Sequence, residues 1–173
     1  MSRFDAHNSR NHSLRNCLLI LLVCLSLSAC GFRLAGSAEL PLQLTSIYLV
    51  TSEFSNFQRT RLERSLNNAG ARLVEQLDSQ SVQLNVRLIV EPDRDLAASA
   101  STGAIVRRIS RGLIFHVKAA DGKFLLQSQT LRQQKDASLD DDNLLSSDRE
   151  KETVTRNLEQ ALFDQLIRQL TLI

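Results

Sequence analysis

The sequence has few of the residues on which enzyme sites and cross-links usually depend. Its 173 residues include three cysteines, three histidines, six glycines, one tyrosine and no tryptophan. The glycines form neither a G-x-G-x-x-G nor a P-loop pattern, so these phosphate-binding motifs are absent. With 43% hydrophobic and 23% charged residues, the composition excludes wholesale disorder and a polytopic membrane protein. The length suits one domain with an appendage.

Positive charge is unevenly distributed along the chain. The formal net charge is +2, and residues 1–29 hold Arg3, Arg10 and Arg15 against Asp5 alone. The remainder has 18 basic and 18 acidic residues. This balance provides no general attraction to nucleic acid, so an anionic ligand would need a local basic cluster.

Residues 1–29 have the pattern of a cleaved lipoprotein signal peptide. A polar stretch with three arginines precedes the apolar run 17–27, which as a helix would rise only about 16 Å, roughly half the hydrocarbon thickness. This length favours a cleaved signal over a transmembrane anchor. The following Leu27-Ser28-Ala29-Cys30 resembles a bacterial lipobox, which predicts cleavage before Cys30 and acylation of its thiol. An ordinary cleavage site with an incidental cysteine is the alternative.

Removal of residues 1–29 would leave Cys30 as the single cysteine, which excludes a disulfide framework. Two or more acyl chains, at about 0.8 kcal/mol per buried methylene, hold a protein on a membrane effectively permanently. Gly31 follows the cysteine where an Asp would resemble an inner-membrane retention signal. By that resemblance, we expect anchorage in the inner leaflet of the outer membrane, facing the periplasm.

Hydrophobic periodicity predicts one α+β domain over residues 46–173, after a lipidated N-terminus and extended tether over 30–45. Two helices are predicted, from Ser55 or Asn56 to Gly70 and from Ser146 or Ser147 to Leu170. Strands are predicted at 46–50, 72–74, 82–92, 105–118 and 123–133, with a hairpin turn at 120–122 and loops at 93–104 and 136–143. This order predicts two helices on one face of a four- to five-stranded mixed sheet.

Catalytic and metal sites are not predicted. After signal cleavage His116 is the single histidine, and its position within a predicted strand is typical of a packing or surface residue. The acidic run 140–142 lacks the glycine and spaced ligands of an EF-hand loop, so we interpret it as a solvated turn. We therefore expect no enzyme activity, no cofactor and no bound metal.

Basic residues are concentrated in one predicted strand and at the start of the last helix, namely Arg107, Arg108, Arg111, Arg149 and Lys151. In a strand, positions 107 and 111 share one face and position 108 lies on the other. Two interpretations stay open. The arginines could bind an anionic ligand through their forked donors, or charged side chains could protect an exposed strand edge.

The run Cys30-Gly31-Phe32-Arg33-Leu34-Ala35-Gly36 resembles the Cys-Gly-aromatic-x-Leu-Arg opening of the LPS-assembly lipoprotein LptE family. Ala35 stands where the family usually has arginine. The predicted element order, the helix end Asn67-Asn68-Ala69-Gly70 and the final run Asp164–Leu170 extend the resemblance over the mature chain.

The resemblance implies a protein that plugs the lumen of the outer-membrane β-barrel LptD, assists its assembly and binds lipopolysaccharide during delivery to the outer leaflet. Family members use basic residues near the loop end of the hairpin strand and near the start of the last helix, so the five basic residues named above are the candidates for lipopolysaccharide binding. Ser147 is an alternative occupant of the second family position. Two other classes stay open: a generic envelope lipoprotein serving as a scaffold for another complex, and a periplasmic hydrolase, which the single histidine disfavours.

Overall fold

The computed structural model describes residues 40–98, 104–140 and 144–173, which form a six-stranded mixed sheet and two α-helices. A short 3-10 helix, Leu42–Leu44, comes first. The elements that follow are β1 Ser46–Ser52, α1 Asn56–Asn68, β2 Arg72–Val74, β3 Val82–Val90, β4 Arg94–Ala98, β5 Ala104–Lys118, β6 Phe124–Asp140 and α2 Leu144–Leu170. The predicted α+β class is confirmed.

The first helix begins and ends where local sequence chemistry predicts. The Ser55 hydroxyl accepts a hydrogen bond from the backbone N–H of Gln58, whose side chain accepts one from the backbone N–H of Ser55. This reciprocal capping box satisfies two N–H groups that the helix itself leaves unpaired. At the other end, Gly70 has a φ of 90°, a left-handed conformation that costs glycine little. The chain can therefore return so that β2 lies parallel to β1.

The remaining strands place β5 in the interior of the sheet. β3 lies parallel to β1 and antiparallel to β5, while β4 and β6 are both antiparallel to β5. The predicted hairpin between β5 and β6 is confirmed, with Gly122 at a φ of 85° and the Ala119 N–H donating to the Lys123 carbonyl at 2.8 Å.

Both helices lie on one face of the sheet, here called the covered face. The main core joins Leu62 and Leu66 of α1 to α2 and to alternate residues of β1, β3 and β5. A smaller apolar cluster lies under the first half of α2 and contains Ile109, Ala137, Leu139, Val154 and Leu158. The predicted apolar face of α2 is confirmed. The other sheet face, here called the open face, carries no helix from the described part of the chain.

Four local predictions were wrong. Two of them concern the sheet, and strand pairing explains both. The loop predicted at 93–104 contains β4, and the loop predicted at 136–143 begins inside β6, because both segments pair with β5. Non-local hydrogen bonding overrides a weak strand pattern. The tether is not extended throughout, since Leu42–Leu44 is helical and Leu44 packs in the main core. The last helix begins at Leu144, before the predicted serines. Residues 141–143 lie outside the described residues.

No helix of the described residues combines the length and apolar composition needed to cross a membrane.

Candidate functional site

The three arginines of β5 lie in a strand that is paired on both sides at their positions. Arg107 and Arg108 are opposite residues of β4 on one side and of β6 on the other. Arg111 lies between Val90 of β3 and Gln133 of β6. The edge-protection interpretation is therefore wrong, because these charges have no strand edge to protect.

The arginines are divided between the two faces of the sheet, as the strand alternation predicts. Arg107 and Arg111 share the covered face with Ile109, which is buried beneath α2. Arg108 lies on the open face. The three guanidinium groups therefore do not form one surface for a single ligand.

Arg107 and Arg108 each form a bidentate pair with the aspartate opposite in the neighbouring strand. Arg107 donates from Nε and Nη2 to the two carboxylate oxygens of Asp95 in β4. Arg108 donates likewise to Asp136 in β6, at 2.7 and 2.9 Å. These hydrogen bonds hold the pKa of Asp95 and the pKa of Asp136 below the usual carboxyl value. Both pairs link β5 to a neighbouring strand.

Arg111 and Lys151 meet at one carboxylate, that of Asp93 in the connection between β3 and β4. Arg111 is 8% exposed; its Nη1 lies 3.7 Å from Asp93 Oδ1, and its Nη2 donates to the Thr155 hydroxyl at 3.4 Å. The Lys151 ammonium lies 2.6 Å from Asp93 Oδ2. Asp93 therefore connects the sheet to α2, and its two cations have a structural role.

Arg149 differs from the other four candidates. Its side chain is exposed on α2, and it has no ion-pair partner within residues 40–98, 104–140 and 144–173. Counted together with their three aspartate partners, these five basic residues have an excess of two positive charges. Cys30, the predicted lipidation site, lies outside the described residues, so its acylation stays a prediction.

A buried ion pair between α1 and α2 was not predicted from the sequence. Glu159 is 3% exposed, and its carboxylate accepts hydrogen bonds from Gln58 at 2.6 Å and from Arg61 at 3.0 Å. The Arg61 guanidinium carbon also lies 5.8 Å from the ring centres of Phe57 and Phe163. The ion pair between Arg61 and Glu159 holds α1 against α2, and the hydrogen bonds from Gln58 and Arg61 satisfy the buried carboxylate of Glu159.

His116 lies on the open face, with its ring centre 5.4 Å from that of Phe124. Burial, with a smaller effect from Lys118, lowers the pKa of His116. Its environment therefore favours the neutral ring. Among the described residues, no group of three or more His, Cys, Asp or Glu side chains could hold a metal ion.

Comparison with known proteins identifies a shared fold. Neither a protein-family model nor a curated protein matches this chain. Among solved structures, lipoprotein B from Nitrosomonas europaea is 20% identical, with a TM-score of 0.63 over 82% of this chain and 90% of that one. The rare lipoprotein B from Shewanella oneidensis is 14% identical, with a TM-score of 0.61 over 72% and 92%. This chain has their fold. The minor lipoprotein from Acinetobacter baumannii is 16% identical, with a TM-score of 0.57 over 73% and 92%.

Proposed function

We propose that this chain is a lipoprotein of the LptE type, anchored in the outer membrane through acylated Cys30. In this proposal it plugs LptD, assists assembly of that barrel and binds lipopolysaccharide. The observation that carries the proposal is the fold shared with three bacterial lipoproteins, which extends over at least 90% of each of them. The lipobox ending at Cys30 supports it independently. The role is binding rather than catalysis.

Anchoring is tested by mass spectrometry of the protein extracted from membranes. The expected species begins at Cys30, carries acyl chains on that residue and lacks residues 1–29. An unmodified Cys30 in a chain that retains residues 17–29 would contradict the proposal. A Cys30→Ser variant is the control, because it cannot be acylated at that position.

The partner is tested by purification of the tagged full chain from detergent-solubilised outer membrane. The expected companion is the LptD barrel in stoichiometric amount. A different stoichiometric partner would favour the generic envelope scaffold instead. Turnover in a panel of hydrolase substrates would contradict the proposed absence of enzyme activity.

The ion pairs indicate how the basic residues would bind lipopolysaccharide phosphate. Arg149 could bind a phosphate directly, whereas Arg108 would first exchange the carboxylate of Asp136 for the phosphate. Arg107 would make the same exchange with Asp95. Arg111 and Lys151 both form ion pairs with Asp93, so we assign them a structural role rather than contact with phosphate. We therefore rank Arg149 first among the five candidates, and Arg107 and Arg108 after it.

Charge variants test this ranking. Arg149→Asp should weaken lipopolysaccharide binding at low salt without lowering the melting temperature. Arg64→Asp makes an equal charge change at an exposed position of α1 and should leave lipopolysaccharide binding unchanged. Raising the ionic strength should reduce the difference, since screening acts over about 8 Å at physiological salt. Asp136→Asn should strengthen binding by releasing Arg108. Reversal of Arg107 and Arg108 to Asp should weaken binding; unchanged binding in every variant would contradict the proposed site.

A further inference from the structure

Two arginines lie side by side on the open face of the sheet. Arg94 of β4 is directly opposite Arg108 of β5, so both side chains are on the same face. Opposed side chains of antiparallel strands have Cβ atoms about 4.5–5.5 Å apart, and like charges in such positions destabilise the sheet. Arg94 is exposed, and it has no ion-pair partner in the described ranges 40–98, 104–140 and 144–173. This pair of charges therefore has no evident structural use.

The acidic residues that surround Arg94 in the sequence are occupied by other cations. Glu91, Asp93 and Asp95 all lie within three residues of Arg94. Glu91 pairs with a cation of β6, Asp93 with cations of β5 and α2, and Asp95 with a cation of β5 on the covered face. Adjacent residues of a strand point to opposite faces, which separates Arg94 from Asp95. A segment that is acidic in the sequence thus leaves its one arginine uncompensated.

The carboxylate nearest to the two arginines across the sheet is that of Asp136. It lies opposite Arg108 in β6 and already accepts two hydrogen bonds from that guanidinium. Arg94 is two strands away from Asp136, about 9.5 Å at the usual strand spacing. The row across β4, β5 and β6 therefore holds two guanidinium groups and one carboxylate, an excess of one positive charge.

We propose that Arg94 and Arg108 bind one phosphate group between them on the open face. A phosphate monoester carries about −1.5 to −2 charges at neutral pH and has three acceptor oxygens, so one group can pair with two guanidinium forks. A carboxylate has a single charge and is matched by one arginine, as in the pair of Arg108 with Asp136. The neighbours of Arg108 on this face, Val106 and Ser110, have short side chains that leave the position accessible.

The inference rests on the proposed function for the source of the phosphate, which is lipopolysaccharide. Exchange of Asp136 for a phosphate at Arg108 adds a contact to Arg94 that the carboxylate does not make. The second guanidinium therefore favours the phosphate in this exchange. The bound anion also neutralises two like charges that repel each other in the free protein. The Asp136 side chain is 42% exposed, so water can solvate it after the exchange.

Lipopolysaccharide binding to the full chain in detergent tests the site with Arg94→Gln and Arg87→Gln. Arg87 is an exposed arginine of β3 on the same face, and it lies opposite Ile114 rather than a second cation. At low salt, Arg94→Gln should weaken binding about two- to fivefold, the effect of one exposed charge contact, and Arg87→Gln should leave it unchanged. Arg94→Lys should restore only part of the loss, because an ammonium group lacks the bidentate fork. Equal weakening by Arg94→Gln and Arg87→Gln would overturn the inference, since it would indicate general attraction to a basic face.

Inorganic phosphate tests the same two arginines without a lipid. The melting temperature of the full chain should be higher in sodium phosphate than in sodium chloride of equal ionic strength. Part of this increase is a general effect of phosphate that acts on every variant alike. Arg94→Gln should show a smaller increase than the wild type, whereas Arg87→Gln should show the same one.

The chloride measurement also shows whether Arg94 has a structural role. In chloride, Arg94→Gln should melt at or above the wild-type temperature, because it removes one of two repelling charges. A lower melting temperature of Arg94→Gln in chloride would overturn the inference, since Arg94 would then stabilise the fold itself.

Together the two ligands separate this inference from the proposed function. A chain that binds no lipopolysaccharide but keeps an Arg94-dependent response to inorganic phosphate would retain the site and contradict the proposed function. Weaker lipopolysaccharide binding by Arg94→Gln, with no Arg94-dependent response to inorganic phosphate, would assign the site to the phosphate of the lipid. If Arg94→Gln matches the wild type with both ligands, the inference is overturned while lipopolysaccharide binding by the wild type still supports the proposed function.

Discussion

Replacing Arg61 with methionine should strongly destabilise the contact between α1 and α2. The carboxylate of Glu159 would stay buried and keep only the hydrogen bond from Gln58. Removing one partner of a buried ion pair costs about 3–5 kcal/mol because the remaining charge is uncompensated. Domains of this size unfold with a free energy of about 5–15 kcal/mol, so the loss is a large share of the total.

Two further variants separate charge burial from lost packing. The double change Arg61→Met with Glu159→Met removes both charges and should recover most of the loss, since apolar replacement of a buried pair is often close to neutral. Arg59→Met removes an exposed pair with Glu63 on the same helix. That change should cost only about 0.3–0.5 kcal/mol.

Urea denaturation of the folded chain at neutral pH measures these differences. Arg61→Met should also lower the melting temperature by roughly 10 °C, taking about 2–4 °C per kcal/mol for a domain of this length. The reasoning is refuted if Arg61→Met costs no more than Arg59→Met. It is also refuted if the double variant is less stable than Arg61→Met alone.

Three other predictions concern the core and the basic region. Leu162→Asp places a charge at a position that is 0% exposed, and should unfold the domain in thermal melts. Asp93→Asn should lower the free energy of unfolding in urea by about 1–3 kcal/mol, because buried Arg111 loses its carboxylate. Arg108→Gln should raise the pKa of Asp136 toward 3.8 in an NMR titration. In the wild type, this pair stabilises the fold above the unfolded-state pKa and loses that effect as the pH falls through the lower folded-state pKa.

The elements that the sequence predicts are those fixed by contacts between near neighbours. Ser55 and Gln58 are three residues apart, so the start of α1 is visible as a capping box. Gly122 marks a turn whose two strands are adjacent along the chain. Leu158, Leu162 and Leu166 recur at helical spacing on a face that is buried in the structure.

β4 could not be predicted in the same way. All five residues of Arg94–Ala98 are exposed, so the segment has no buried and exposed alternation to detect. Its register with β5 also shifts between Asp95 and Ala97, which leaves Leu96 outside the ladder. The strand forms because β5 extends beyond the end of β3 and its backbone groups there are available to β4. This part of the β5 edge exists only in the folded sheet.

The partners of the basic residues could not be predicted either, because they lie far from these residues along the chain. Arg107 and Asp95 are separated by 12 residues, and Arg108 and Asp136 by 28, so the sequence shows the arginines without the carboxylates that pair with them.

These ion pairs change the free energy that a phosphate can gain by binding to each arginine. At Arg108 it has to replace a bidentate carboxylate, so the gain from binding is the difference between two strong charge-assisted contacts. At Arg149, which has no ion-pair partner among the described residues, no such exchange is needed. This one arginine can therefore contribute more to lipopolysaccharide binding than the three arginines of β5, although the sequence makes the strand the more conspicuous site.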